Sequence, residues 1–228
     1  MTRRLFITGT GTGVGKTWVT RGLARAWTQA GRRVVAIKPV ETGCAPDSAD
    51  AIALARACGR PELAQAPGLH RGRAPLAPWA ATLEGEPAPD FEALVDSTAA
   101  LCAGADIALI EGAGGLLVPL DADRDMADLA RALDAELVLV GDDRLGVLSH
   151  VLTAADAARS RGLRIRAVVL TRAHPDPSQR TNARILGARL PCPVVPFPAA
   201  PDDDDVLAAA AADLGAALTA AVSRPLGS

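Results

Sequence analysis

Thr8-Gly9-Thr10-Gly11-Thr12-Gly13-Val14-Gly15-Lys16-Thr17 lies between two segments of different periodicity. Before it, Arg4-Leu5-Phe6-Ile7-Thr8 is a short apolar run suited to a buried strand. After it, Val19, Leu23, Ala26 and Trp27 recur at helical spacing to about Ala30, and Gly31 ends the run. Strand, glycine-rich turn and helix N-terminus in that order form an anion cradle, because glycines let backbone N–H groups converge on phosphate oxygens. Lys16 would neutralise charge on the outer phosphates of a nucleotide, and the Thr17 hydroxyl would ligate Mg²⁺. The stretch departs by one position from G-x-x-x-x-G-K-[ST]: Thr10 holds the first glycine position and Gly9 lies one earlier. A dinucleotide G-x-G-x-x-G cannot be threaded through it. A flexible turn without a ligand is the bland alternative, and strand, Gly-Lys-Thr and helix together argue against it.

Outward from the loop, apolar runs alternate with helical segments. Val34 to Lys38 is a second, β-branched strand stopped by Pro39, and further strands are expected at 106–110, 136–140, 165–170 and 193–197. Helices are expected over 48–58, from the N-cap residue Asp90 to about Ala103, and near 125–133, 147–161, 178–189 and 205–222. Residues 59–89 are rich in proline, glycine and alanine and are expected to be irregular, with short helical pieces around Ala77–Leu83. The acidic run Asp202–Asp205 fits a helix N-terminus, where carboxylates face the positive end of the dipole. Strands that are apolar throughout, separated by helices, imply a parallel sheet buried on both faces. The expected fold class is α/β: a single doubly wound domain over residues 1–228, mostly parallel sheet flanked by helices, of the P-loop NTPase type.

Composition narrows the function. Apolar residues make up 49% of the 228 and charged residues 22%, which suits a sizeable core and excludes disorder, collagen and a coiled coil. A net charge of −2 supplies no basic field for nucleic acid or an acidic membrane, and three tryptophans, three phenylalanines and no tyrosine leave little for base stacking. The apolar run before Thr8-Gly9 is too short for a signal-peptide core, and no stretch reaches the roughly 18 apolar residues of a membrane span, so a cytoplasmic address is expected. Cys44, Cys58, Cys102 and Cys192 lie far apart without a C-x-x-C pair or zinc spacing, and are expected to be scattered thiols. Of 24 basic residues only Lys16 and Lys38 are lysines; the other 22 are arginines. A compact ammonium on a flexible stem suits a tight phosphate or carbamate site where a planar fork does not fit.

Lys38 ends the second strand, on the rim where ligands of such sheets bind, and Pro39 biases it toward extended backbone. Asp50 lies near the start of a helix, where a capping or first-turn carboxylate is the plain reading. Glu111 ends the strand Asp106–Ile110 ahead of Gly112-Ala113-Gly114-Gly115, a placement that suits a magnesium ligand or a salt-bridged glutamate. Leu145-Gly146-Val147-Leu148-Ser149-His150 opens another helix whose first amides could bind a carboxylate; His150 reads as structural.

Thr8–Thr17, Lys38-Pro39-Val40-Glu41-Thr42-Gly43, Asp50 and Glu111–Gly115 resemble, in order and spacing, the motifs of the dethiobiotin synthetases, and Leu145–His150 matches more loosely. The matching pieces run through about two-thirds of the chain. The resemblance implies a homodimer with the substrate site near the subunit interface. It implies a ligase that uses ATP, Mg²⁺ and CO₂ to close a urea ring on 7,8-diaminononanoate, the penultimate step of biotin biosynthesis. Lys38, Lys16 and Thr12 would be catalytic. Nucleotide contacts would come from Thr12, Gly13, Val14, Gly15, Lys16, Thr17 and Trp18, and from Asp50, Glu111, Gly112, Ala113 and Gly114. Further contacts would come from Thr171, Arg172, Pro196, Phe197 and Pro198. Thr42 and Lys38 would contact the diamine or its carbamate, and amides at Gly146, Val147, Leu148 and Ser149 of the partner subunit its carboxylate. Thr17, Asp50 and Glu111 would hold Mg²⁺. One departure stands out: where many members carry Asn-Asp after a strand, this chain has Thr171-Arg172. Threonine lacks the donor-plus-acceptor pair of asparagine, which implies looser selection among nucleoside triphosphates.

Two other readings share the fold. A partition-type ATPase or switch typically carries a second lysine early in the loop, where this chain has Gly11. A synthetase or amidotransferase acting on another amine or carboxylate would keep the loop, and Lys38–Gly43 argues against it.

Overall fold

Residues 2–199 and 201–220 are described by a computed structural model. Six parallel strands form its sheet: β1 (Arg3–Gly9), β2 (Val34–Ile37), β5 (Ile107–Gly115), β6 (Glu136–Asp142), β7 (Ile165–Thr171) and β8 (Val194–Phe197). Their order is β2-β5-β1-β6-β7-β8, so β1 lies inside the sheet with Phe6 opposite Ile110 on one side and Leu137 on the other. Leu5, Phe6 and Ile7 are buried, as are Ala108, Leu109 and Ile110 beside them. Such continuous burial requires helices on both faces. Seven of the helices are α1 (Lys16–Gln29), α2 (Ala49–Ala57), α3 (Pro78–Leu83), α4 (Phe91–Cys102), α5 (Met126–Ala132), α6 (Val147–Ser160) and α7 (Asn182–Arg189). On α1 the side chains of Val19, Leu23 and Trp27, four residues apart, fall on the buried face.

Several helix starts are fixed by carboxylates. Asp90 accepts from Ala93 N–H at 3.1 Å, and Asp125 and Asp128 form a reciprocal capping box on α5. The acidic run does the same for α8 (Asp204–Ala210): Asp203 accepts from the N–H groups of Asp205 and Val206 at 3.0 and 3.1 Å. Its neighbours reach across to α1, where Asp202 and Asp204 pair with Arg21, and Asp205 pairs with Arg25 at 2.7 Å. Gly22 lets α1 approach so closely that a Cβ there would sit 2.5 Å from the Leu207 carbonyl oxygen.

The structure departs from the sequence expectations in four places. β5 does not stop at Ile110 but runs through Glu111 to Gly115, because β1 continues beside it as far as Gly9, with an irregularity between Ile7 and Gly9. Gly112 makes this continuation sterically feasible, since a Cβ there would sit 2.7 Å from the Phe6 ring. The helix expected over 205–222 divides into α8 and α9 (Ala212–Thr219), and residues 221–222 lie outside the described residues. Near-uniform alanine gives no single apolar face there: α8 packs on α1 alone among the larger contacts, whereas α9 packs on α1 and also on β7 and β8. Likewise 178–189 divides into a 3₁₀ turn (Pro177–Arg180) and α7, with Asp176 holding the turn through Ser178 N–H at 2.9 Å. Finally, the 59–89 region holds a 3₁₀ turn (Pro61–Gln65) and a two-residue strand, β4 (His70–Arg71), that pairs in parallel with β3 (Val40–Glu41), while α3 is the short helix expected there.

Candidate active site

The glycine-rich loop leaves β1 at the carboxyl rim of the sheet. Gly13 and Gly15 have φ of +74° and +85°, a region that penalises any Cβ, and Gly15 is also the N-cap of α1. At Gly15 the space is closed as well: a Cβ would meet Thr171 Cγ2 at 2.8 Å. Thr171 ends β7 and its hydroxyl is 2.9 Å from the Val14 carbonyl, so the loop is latched to a strand two places away in the sheet. Lys16 is 6% exposed, and its Nζ donates to the Gly11 carbonyl at 2.9 Å, folding back across the loop. Burial pushes its ammonium down to about 8, against the pull of Glu111 and Asp50 and with added repulsion from Lys38.

Beside the loop, Lys38 is 7% exposed and its Nζ donates to Glu111 Oε1 at 2.9 Å and to Asp50. Burial works against its charge, but the Glu111 and Asp50 carboxylates more than offset that and hold it above the ordinary lysine value. Glu111 is fully buried; Thr17 Oγ1 and Thr20 Oγ1 lie 2.9 Å from its two oxygens. One carboxylate thus gathers three elements: β5, the start of α1 and the end of β2.

A cavity of about 570 Å³ opens above this cluster. Thr12, Gly13, Gly15, Lys16, Thr17 and Trp18 line it from the loop and α1. Lys38, Thr42 and Asp50 line it from the β2–α2 side, Ala113 and Gly114 from β5, and Thr171 from β7. Glu111 lies behind that wall, joined to it through Lys38 and Thr17. Other predicted residues are not in the lining. Val14 offers its carbonyl to Thr171, and Gly112 packs against Phe6. Arg172 Nε donates to the buried Asp143 at 2.9 Å and its Nη2 to the Gln179 carbonyl at 3.3 Å. Phe197 is 1% exposed in the core, between half-buried Pro196 and exposed Pro198. Gly146, Val147, Leu148 and Ser149 begin α6, where Val147 is buried while Gly146 and Ser149 face outward.

Sequence reasoning missed several contributors. Arg21, Asp142, Ala173 and Asp202 line the cavity, and Thr20 reaches Glu111 from one helical turn beyond Lys16. The spacing of Thr20 was a usable signal, since residues three and four apart share a helix face. Nothing in the sequence ties Arg21 to Asp202, 181 residues away.

The donor set bears on whether Mg²⁺ fits. Among the described residues no group of three or more His, Cys, Asp or Glu side chains could hold a metal alone. Two carboxylates and a hydroxyl, all hard oxygens, are joined through Lys38 and Glu111. Mg²⁺ commonly binds through one or two carboxylates with substrate phosphates completing its shell, so this set beside a phosphate loop fits it.

A family profile described as an AAA domain matches residues 3–200. The ATP-dependent dethiobiotin synthetase of Anaeromyxobacter sp. (strain Fw109-5) is 44% identical over 193 residues, covering 81% of this chain and 86% of that relative. The synthetase of the same name from Anaeromyxobacter sp. (strain K) is 39% identical over 225 residues, covering 96% and 99%. That of Caulobacter vibrioides (strain NA1000 / CB15N) is 42% identical over 192 residues, covering 82% and 87%. Among solved structures, the septum site-determining protein MinD of Pyrococcus horikoshii, complexed with Mg-ADP, superposes with a TM-score of 0.57 at 20% identity, covering 92% of this chain and 86% of that one. The signal recognition particle receptor FtsY of Elizabethkingia anophelis gives 0.56 at 18%, covering 91% and 61%. These two likenesses speak to the fold, which is that of P-loop nucleotide-binding proteins. Identity of this degree over nearly the whole of the curated relatives, together with a lysine-bearing phosphate loop facing Lys38 and Glu111, makes this chain a member of the ATP-dependent dethiobiotin synthetase family.

Proposed function

We propose that this ATP-dependent ligase of biotin biosynthesis closes the urea ring of dethiobiotin on 7,8-diaminononanoate, with CO₂ as the carbon source. The observation that carries the reading is that the only two lysines in the chain both line the cavity, each less than a tenth exposed. One amine of the diamine adds to CO₂ and loses a proton, giving an N-carbamate. A carbamate oxygen then takes the γ-phosphoryl group of ATP as ADP leaves. The second amine attacks the carbonyl carbon of the mixed anhydride, closing the ring and expelling phosphate. Every species between carries negative charge, so the protein's task is positioning and charge neutralisation more than proton abstraction.

Lys16, already on the inner side of the loop, is suited to the transferred phosphoryl group; its contact with the Gly11 carbonyl would exchange for phosphate oxygen. Lys38, held by Glu111 and Asp50 and kept protonated, is suited to the carbamate, with Thr42 beside it for the diamine. Thr12 would help position the reacting groups. Thr17, Asp50 and Glu111 would hold Mg²⁺, which would supply further charge neutralisation. Trp18 would lie along the nucleoside. The amides of Gly146–Ser149 are left for the substrate carboxylate in a homodimer, where they would come from the second copy.

The test is incubation with 7,8-diaminononanoate, labelled bicarbonate, Mg²⁺ and ATP, with mass spectrometry of the products. A labelled cyclic urea formed one-for-one with ADP is expected. ATP hydrolysis that ignores the diamine, with no labelled product, would instead indicate a nucleotide switch on the same fold.

A further inference from the structure

We infer that Glu41 is a positioning residue for Asp50, acting as a through-space cap on α2. The residue preceding that helix, Ser48, makes no side-chain capping bond. The N–H groups of Asp50 and Ala51, which have no partner within the helix, are instead taken by Glu41 Oε1 and Oε2 at 2.9 and 3.0 Å. Glu41 lies on β3, nine residues earlier, and is 6% exposed. Its carboxylate supplies two charge-assisted bonds at the positive end of the helix, a favourable place for an anion.

The consequence is geometric. Asp50 and Lys38 meet through their side chains, and each main chain is held by a different residue. Glu41 grips the backbone of Asp50. Arg71, opposite Glu41 in the β3–β4 pair, donates to the Lys38 carbonyl at 2.9 Å and to the Ala64 carbonyl at 3.2 Å. The β3–β4 pair, through Glu41 on one strand and Arg71 on the other, is therefore the brace of the Lys38–Asp50 pair. Without Glu41 the first turn of α2 has two buried or half-buried donors unpaired, and the side-chain contact with Lys38 is left to hold Asp50 toward the cavity alone.

The inference rests on Asp50 being a Mg²⁺ ligand, and its test separates the two. Mn²⁺ affinity is measured by electron paramagnetic resonance on the full chain bound to a non-hydrolysable ATP analogue, for wild type, E41Q, D50N and E41Q/D50N. Glutamine keeps the volume of glutamate but faces one N–H with an amide that cannot accept. E41Q is expected to weaken Mn²⁺ by about tenfold or more, the usual size of an outer-shell effect. It is expected to add nothing in the D50N background and to leave metal-free nucleotide affinity unchanged. E41D, which retains both acceptor oxygens on a shorter stem, is expected to fall between wild type and E41Q; it also serves if E41Q does not fold. Unchanged Mn²⁺ affinity in E41Q, or an equal loss with and without Asp50, overturns the inference. Wild-type affinity in D50N overturns the assignment of Asp50 itself, and this inference with it.

Discussion

Gly15 and Gly13 share a left-handed backbone, but their surroundings differ, and single substitutions should separate them. Alanine at Gly13 meets open space and should cost about 1 kcal/mol, the penalty of the conformation alone. Alanine at Gly15 also drives into Thr171 Cγ2, so about 2 kcal/mol or more is expected in urea unfolding, with partial recovery in G15A/T171S, where that methyl is gone. The lysines make a second contrast. In the proposed reaction Lys16→Ala and Lys38→Ala would each remove a buried cation from developing negative charge, with an expected cost of about 3 kcal/mol on the barrier or about a 150-fold drop in turnover. A variant that keeps more than about a tenth of wild-type turnover refutes that role. Lys38→Ala should also lower the melting temperature, because it strands the fully buried Glu111 without its cation, whereas Lys16 has no ion-pair partner among the described residues to strand.

Elements are tied to one another by a few close contacts. Alanine at Gly22 raises helix propensity by about 1 kcal/mol, yet its Cβ would sit 2.5 Å from a backbone oxygen of α8. A net loss of about 1–3 kcal/mol is expected, opposite in sign to the propensity, together with a raised KM for nucleotide, since α8 carries the Asp204 partner of Arg21 at the cavity rim. At the far end of the sheet, Asp106 precedes β5 and takes the Arg33 side chain at 2.7 Å and its backbone N–H at 2.9 Å, ahead of β2. Arg33 holds the Asp106 carboxyl down at about 2. A carboxyl lowered in the folded state contributes stability that is complete above its unfolded value near 4 and is lost as pH falls through about 2. Melting temperatures of wild type and D106N should therefore differ at pH 5 and converge toward pH 2. A constant gap across that range refutes the linkage.

At the scale of the molecule, the sheet order brings the end of β7 beside the glycine-rich loop. Thr171 donates its hydroxyl to the Val14 carbonyl, and Arg172 spends Nε on Asp143 and Nη2 on the Gln179 carbonyl, so both side chains are largely committed, with Arg172 Nη1 left over. A site with so few groups left for a base edge discriminates weakly, and kcat/KM for ATP, GTP and CTP should lie within about 100-fold. A preference for one of them by about 10⁴ or more would require an edge-reading group elsewhere on the rim. Much of this protein was legible before any fold was known. The loop, its lysine and the helix after it are contiguous, and a phosphate cradle is made of local backbone, so residues 8–17 carried their own geometry. Continuous apolar strands specified a parallel sheet for the same local reason. The extension of β5 through Glu111 was not legible, because glycine reads as a turn until a neighbouring strand is there to pair with it. The division of the last helix was hidden by its alanines, whose burial depends on α1 in both halves and on β7 and β8 only in the second. The sequence alone determined the family of chemistry, through which residue types stand at which spacing around one loop. Tertiary structure decided which of those groups are free to act. Thr171 is latched to a carbonyl 157 residues away and Asp50 is held by Glu41 on another element. Such pairings follow from strand order and packing, and no local pattern in the chain encodes them.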